Sequence, residues 1–172
     1  MNTILQTKRL LLRQFHTGDE QAYLKCYGDP DVMKFIGDGT WLGSEETISE
    51  TIRNYQSTYT CHPGCGYWAI IEKQSKELIG DAGIVPIEQT NEYEIGYLLR
   101  KDKWGNGYAQ ELLKALIDYG FNQLRLEEVI CVAAPENLAS IQVMKKCGME
   151  CTHTNAFYHN RVSVRYALKR SN

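Results

Sequence analysis

The stretch Trp104 to Phe121, WGNGYAQELLKALIDYGF, constrains this chain more than any other. Ala109, Leu112, Leu113, Leu116, Ile117 and Phe121 recur at helical spacing, which predicts an amphipathic helix from about Tyr108. The run before it, YEIGYLLR (93–100), predicts a strand. Gly105 and Gly107 stand between the two. A strand, a glycine turn and a helix entrance together make a physical anion site. The first-turn N–H groups of a helix lack intrahelical partners. Glycine admits φ > 0 and close approach of a ligand, and the helix dipole favours negative charge. A plain tight loop ahead of a helix explains the same two glycines equally well. The named phosphate loops do not fit. No Gly-Lys-Ser/Thr follows, and Gln110 stands where a dinucleotide fingerprint places its third glycine.

The rest of the chain predicts one domain over 1–172. RLLLRQF (9–15) reads as a strand. A helix follows to about Tyr27 with Thr17 as candidate cap, and a helical turn begins at Pro30. GSEETISETIRNYQSTY reads as a helix capped by Ser44, with Glu45 and Glu46 in its first turn and Ile48, Ile52 and Tyr55 facing inward. GYWAIIEK and ELIGDAGIVPI form a hairpin pattern. EEVICVAA is a strand, ENLASIQVMKKCG a helix and VSVRYAL a terminal strand. This order predicts a mixed α/β (α+β) sheet with helices on both faces.

Composition removes several classes. The 172 residues carry a formal charge of -2 and no Lys/Arg block of five, which argues against nucleic acid as partner. No apolar run approaches bilayer length, so no membrane partner is expected. Lys8, Arg9 and Arg13 interrupt the early apolar stretch and no cleavage site follows, so the expected compartment is the cytoplasm. Six cysteines are then expected as free thiols. CHPGC and CGMEC each space two cysteines by three residues, with His62 and His153 nearby. Cys147 reads as the last turn of a helix and Cys151 as strand, a poor match to zinc knuckles, so no metal is expected.

The segments YEIGYLLRKDKWGNGYAQELLKALIDYGF and ENLASIQVMKKCGM, with TKRLLLRQF and GDPDVMKFIGDG, resemble the GCN5-related N-acetyltransferase (GNAT) superfamily. They are similar, more narrowly, to its RimJ/RimL-type branch. The resemblance covers nearly the whole chain. It implies a mostly antiparallel central sheet with a splayed parallel strand pair at the coenzyme A site, and acetyl-CoA as cosubstrate. It implies that the backbone of Trp104, Gly105, Asn106, Gly107, Tyr108 and Ala109 holds the pyrophosphate. The superfamily often has Gln or Arg where this chain has Trp104, so the contact rests on backbone. Leu98 and Leu99, at the end of the family's bulged fourth strand, would pair with the pantetheine arm through their backbone. Asn137 and Ser140 match the N-x-x-[AS] pattern. Asn137 would bind the arm, although capping is also a normal role for Asn.

Many superfamily members place an acid tyrosine four residues after that Ala/Ser. Here the position is Met144, which cannot donate a proton, so Ser140 becomes the candidate acid and Tyr158 a second choice. Lys145 and Lys146 are candidates for the 3′-phosphate or a solvated face. An attacking amine must be neutral, and Glu94 is the candidate base. A carboxylate on an otherwise apolar strand is costly unless paired or working, or unless it faces solvent. Asp29, Asp31, Asp38, Glu45, Glu46 and Glu50 fit a cationic acceptor or a solvated acidic face. The expected function is acetyl transfer to a primary amine, either a protein N-terminus or a small amine. A non-catalytic acyl-CoA-binding module is the alternative. An exposed strand edge is compatible with a homodimer. Elemental analysis of the purified protein is expected to find no stoichiometric zinc.

Overall fold

The computed structural model describes residues 2–37, 39, 43–159 and 161–170. Along the chain run β1 (Thr3–Gln6), β2 (Leu10–Arg13), α1 (Glu20–Tyr27), α2 (Pro30–Met33), α3 (Glu45–Cys61), β3 (Gly66–Glu72), β4 (Leu78–Pro86) and β5 (Tyr93–Leu99). A single 3-10 turn (Lys101–Lys103), α4 (Tyr108–Asn122), β6 (Glu128–Ala133), α5 (Leu138–Lys146), β7 (Glu150–Tyr158) and β8 (Arg161–Lys169) complete it. The strands form one sheet in the order β1-β2-β3-β4-β5-β6-β8-β7. Among the described residues its only parallel neighbours are β5 and β6.

Strand alternation puts an apolar layer on each face. On one face Trp68, Ile70, Ile84, Ile95 and Leu99 pack with Leu112, Leu113 and Leu116 of α4 and Met144 of α5. On the other, Ala69, Leu78 and Leu98 meet Tyr23 and Cys26 of α1 and Ile48 and Ile52 of α3. The expected cap of α3 is present: Ser44 Oγ accepts from the Thr47 N–H at 3.2 Å, and Thr47 Oγ1 accepts from the Ser44 N–H at 2.8 Å. At α1 the cap position falls to Asp19 rather than Thr17. Asp19 does not cap with its side chain, because its carboxylate takes the Arg13 guanidinium at 2.7 and 2.8 Å and the His16 N–H at 3.0 Å.

Two strands were not expected in full. β1 is a four-residue outer strand, too short to show a period. β7 is the other outer strand and is exposed over most of its length, so ECTHTNAFY shows no apolar alternation. The strand expected to carry a bulge is fifth in chain order. It pairs with β4 in unbroken register from Tyr93–Pro86 to Leu99–Gly80. Opening on the β6 side comes from a lost pairing instead: β5 and β6 share the single registered pair Glu94 and Ile130. Among the described residues no His/Cys/Asp/Glu group could hold a metal ion, and the six cysteines are free.

Asp81 of β4 is 3% exposed and faces the α1 side, where it accepts from Tyr23 Oη at 2.6 Å and Tyr27 Oη at 3.5 Å. Burial pushes its carboxyl up to about 7, against the two tyrosine hydrogen bonds, which act to lower it. A carboxyl raised in the folded state contributes its stability below the unfolded value of about 3.9, and that contribution is lost as pH rises through about 7. Asp81→Asn should therefore narrow the difference in Tm between pH 5 and pH 8, measured by thermal unfolding.

Candidate active site

The glycine turn is held from both flanks. Trp104 Nε1 donates back to the Leu99 carbonyl at 2.8 Å, fixing the loop at the end of β5. Gly105 and Gly107 have φ of +75° and +77°, the left-handed region that favours glycine. Gly107 is the N-cap of α4 and brings no side-chain cap, so the first-turn N–H groups are left without one, an arrangement that suits an anion. Arg9, from the β1–β2 connection, reaches across. Its Nη1 donates to the Asn106 carbonyl at 2.8 Å, its Nε pairs with Glu111 at 2.6 Å, and its guanidinium lies 4.3 Å from the Tyr108 ring centroid. Tyr108 Oη donates to Glu72 at 2.5 Å, and Lys103 Nζ to the same carboxylate at 2.8 Å. Lys103, Ser75 and Tyr108 hold the Glu72 carboxyl down at about 2. The start of the chain and the end of β3 thus clamp the turn.

Beside it opens a cleft of about 400 Å³. From β5 it takes Tyr97, Leu98 and Leu99. The turn and α4 add Lys103, Trp104, Gly105, Gly107, Tyr108, Ala109 and Gln110. Asn137, Ala139, Ser140, Gln142, Val143 and Lys146 come from the start and flank of α5, and Val32, Phe35 and Ile36 from α2 and the residues after it. Ten candidate residues named from the sequence, Lys146 among them, are therefore brought together. Asn106 and Met144 do not line the cleft. The Asn106 amide folds back on the Lys103 and Trp104 carbonyls at 3.2 and 3.1 Å, and Met144 is fully buried in the core. Lys146 is at the cleft and Lys145 is not.

Asn137 caps α5, its Oδ1 accepting from the Ser140 N–H at 3.2 Å. Ser140 Oγ lies 3.1 Å from Tyr97 Oη. Burial raises the Tyr97 phenol, opposed by its bond to Ser140, so it stays protonated. Alternation on β5 places Tyr97 with Ile95 and Leu99, but nothing local in sequence ties it to a serine 43 residues away. Tyr158 is engaged elsewhere, donating to Glu92 at 3.4 Å.

Glu94 faces the opposite side of β5 and is 5% exposed. Its two carboxylate oxygens lie 2.9 and 3.1 Å from Nε2 of His159, in the β7–β8 turn. Glu94 raises the His159 imidazolium, against burial. Sequence reading missed His159, because a turn histidine carries no periodic signal. Several of the acidic N-terminal residues have local partners. Asp29 caps α2, Asp31 pairs with Lys101, Glu45 accepts from Gln21 at 2.6 Å, and Asp38 lies outside the described residues.

A glycine turn at a helix entrance, opening on a cleft between the end of β5 and α5, is an arrangement that can hold an extended anionic ligand. A family model described as "Acetyltransferase (GNAT) domain" matches residues 9–150. The chain is 33% identical over 165 residues to YkkB, an uncharacterized protein of Bacillus subtilis strain 168, covering 94% of each. It is 32% identical to YoaA, an uncharacterized N-acetyltransferase of the same strain, over 87% of this chain and 84% of that one. The crystal structure of a GNAT-family acetyltransferase from Bacillus anthracis superposes with a TM-score of 0.82 at 27% identity, over 96% and 97% of the two chains. The chain belongs to the GNAT acetyltransferase family and is an acetyltransferase.

The clamp has a measurable consequence. Arg9→Ala removes the bond to the Asn106 carbonyl and the pair with Glu111. We expect CoA to bind roughly tenfold more weakly by calorimetry, about 1.4 kcal/mol, with the far-UV spectrum unchanged.

Proposed function

We propose that this acetyltransferase uses acetyl-CoA to acetylate a primary amine by direct attack, as an enzyme of the RimJ/RimL-type branch. The observation that carries the reading is the continuity of the cleft: the glycine turn, the opened edge of β5 and the Ser140 hydroxyl lie along one channel. The N–H groups from Trp104 to Ala109 would take the pyrophosphate, and Lys146 is within the cleft for a further phosphate. The pantetheine arm would add to the edge of β5 at Leu98 and Leu99. Ser140, with Tyr97 behind it, would return a proton to the departing thiolate. That pair weighs against the non-catalytic acyl-CoA module, which Met144 in place of tyrosine otherwise leaves open. Glu94 would serve proton removal from the amine on the opposite side of the strand. The acceptor is a protein N-terminus or a small amine.

Two measurements test this. CoA should raise the Tm and ATP should not. Release of free thiol from acetyl-CoA should then depend on an added amine in a panel of peptide N-termini, polyamines and simple amines. Ser140→Ala should lower kcat roughly 100-fold, the usual scale of acid–base assistance. Binding of CoA without turnover on any amine would favour the module.

A further inference from the structure

We infer that His159 is a further catalytic residue of this site, the group that takes the proton from the acceptor amine, with Glu94 as its positioning residue. The inference rests on the N-acetyltransferase reading above. Its ground is the inequality of the two partners. The Glu94 side chain is 7% exposed and both its oxygens lie within hydrogen-bond distance of one donor, Nε2 of His159. The His159 side chain is 53% exposed. Both oxygens of the buried carboxylate already face the His159 ring nitrogen and not a ligand. The imidazole in front of it is open to one.

The geometry also selects a tautomer. The carboxylate accepts, so Nε2 carries the hydrogen in the neutral ring, and Nδ1 keeps its lone pair. No partner for Nδ1 is found among the described residues. Backbone conformation supports a built arrangement: His159 has φ of +51°, a region a residue with a Cβ occupies at a cost. The turn is also tied to the cleft. Arg161 Nη1 donates to the Lys34 and Gly37 carbonyls at 3.3 and 3.4 Å, and Phe35 and Ile36 between them line the cleft.

The step balances as follows. An acceptor arriving as R–NH3⁺ gives one proton to Nδ1 of His159, and the imidazolium is held by the Glu94 carboxylate. The freed nitrogen pair forms the N–C bond to the thioester carbonyl. As the C–S bond breaks, its pair leaves on sulfur and takes the Ser140 Oγ proton, and the second amine proton passes through solvent to restore the Ser140 hydroxyl. The imidazolium then returns its proton to solvent through its exposed edge.

Glu94 raises the imidazolium above its ordinary 6.5. The other titratable groups facing the pair are the Tyr67 phenol from β3 and the Cys131 thiol from β6, both pushed up by burial and neutral, with Tyr158 and Arg161 on the turn itself. The neutral, proton-accepting imidazole therefore grows as pH rises through a value above 6.5.

The test is the pH profile of kcat/KM with the best amine of the acceptor panel, for wild type, His159→Gln and Glu94→Gln, with CoA affinity measured on each. We expect an acid limb above 6.5 in the wild type. His159→Gln should lose that limb and roughly 100-fold in kcat/KM, with CoA affinity within about twofold. Glu94→Gln should move the limb to lower pH while keeping more activity than His159→Gln. If His159→Gln keeps both limb and rate while Glu94→Gln loses them, Glu94 is itself the base and the inference falls while the proposed function stands. If wild type binds CoA and acetylates no amine, both fall. An NMR titration reads the pair without any acceptor: a His159 titration unmoved by Glu94→Gln overturns the coupling.

Discussion

The rest of the site depends on one lost pairing. β5 and β6 meet in register at Glu94 and Ile130 and then part. Backbone N–H and C=O groups are obligatory hydrogen-bonding groups, so the freed edge of β5 is a template for an extended ligand. On its other edge β5 is paired to β4 without a break from Tyr93 to Leu99. The sheet can tolerate the gap because α4 and α5 pack their apolar faces beneath it, with Leu112, Leu113, Leu116 and Met144 fully buried. Met144, in a position where many relatives carry an acid, does packing work here. Hydroxyls at the cleft come instead from Ser140 and Tyr97, 3.1 Å apart.

A second constraint is the clamp on the glycine turn. Two left-handed glycines on either side of Asn106 cost chain entropy and hold nothing by themselves. Glu72 is buried yet held far down its titration range by Lys103, Ser75 and Tyr108, and Arg9 bridges the turn to α4. Charge-assisted bonds of this kind are stronger than neutral ones and directional. They turn a flexible loop into a fixed row of donors. The family-like TKRL stretch at the start of the chain thereby acquires a physical role far from its own strand.

Legibility followed periodicity. The helix from Tyr108, the cap at Ser44, the hairpin of β3 and β4, and the opposed faces of Glu94 and Leu99 on β5 were all readable, because each rests on spacing or on a local bond. β7 was largely unreadable because an exposed outer strand buries neither face. Thr17 lost the cap of α1 to Asp19 through a contact with Arg13 in the preceding strand. The Asn106 side-chain amide turns back onto the loop, a contact that no sequence pattern announced.

By itself the sequence determined the order of elements, the glycine turn at the mouth of α4 and the family's donor motif. All of these are written in residues near one another along the chain. The tertiary structure alone decided which distant groups meet: Tyr97 on Ser140, Arg9 on Asn106, and His159 on Glu94, 65 residues apart. Such pairs are set by sheet order and strand register, which place β8 next to β6 and bring the β7–β8 turn within reach of β5. No local pattern encodes that closure, because what enforces it is burial of the two apolar faces of the sheet at once.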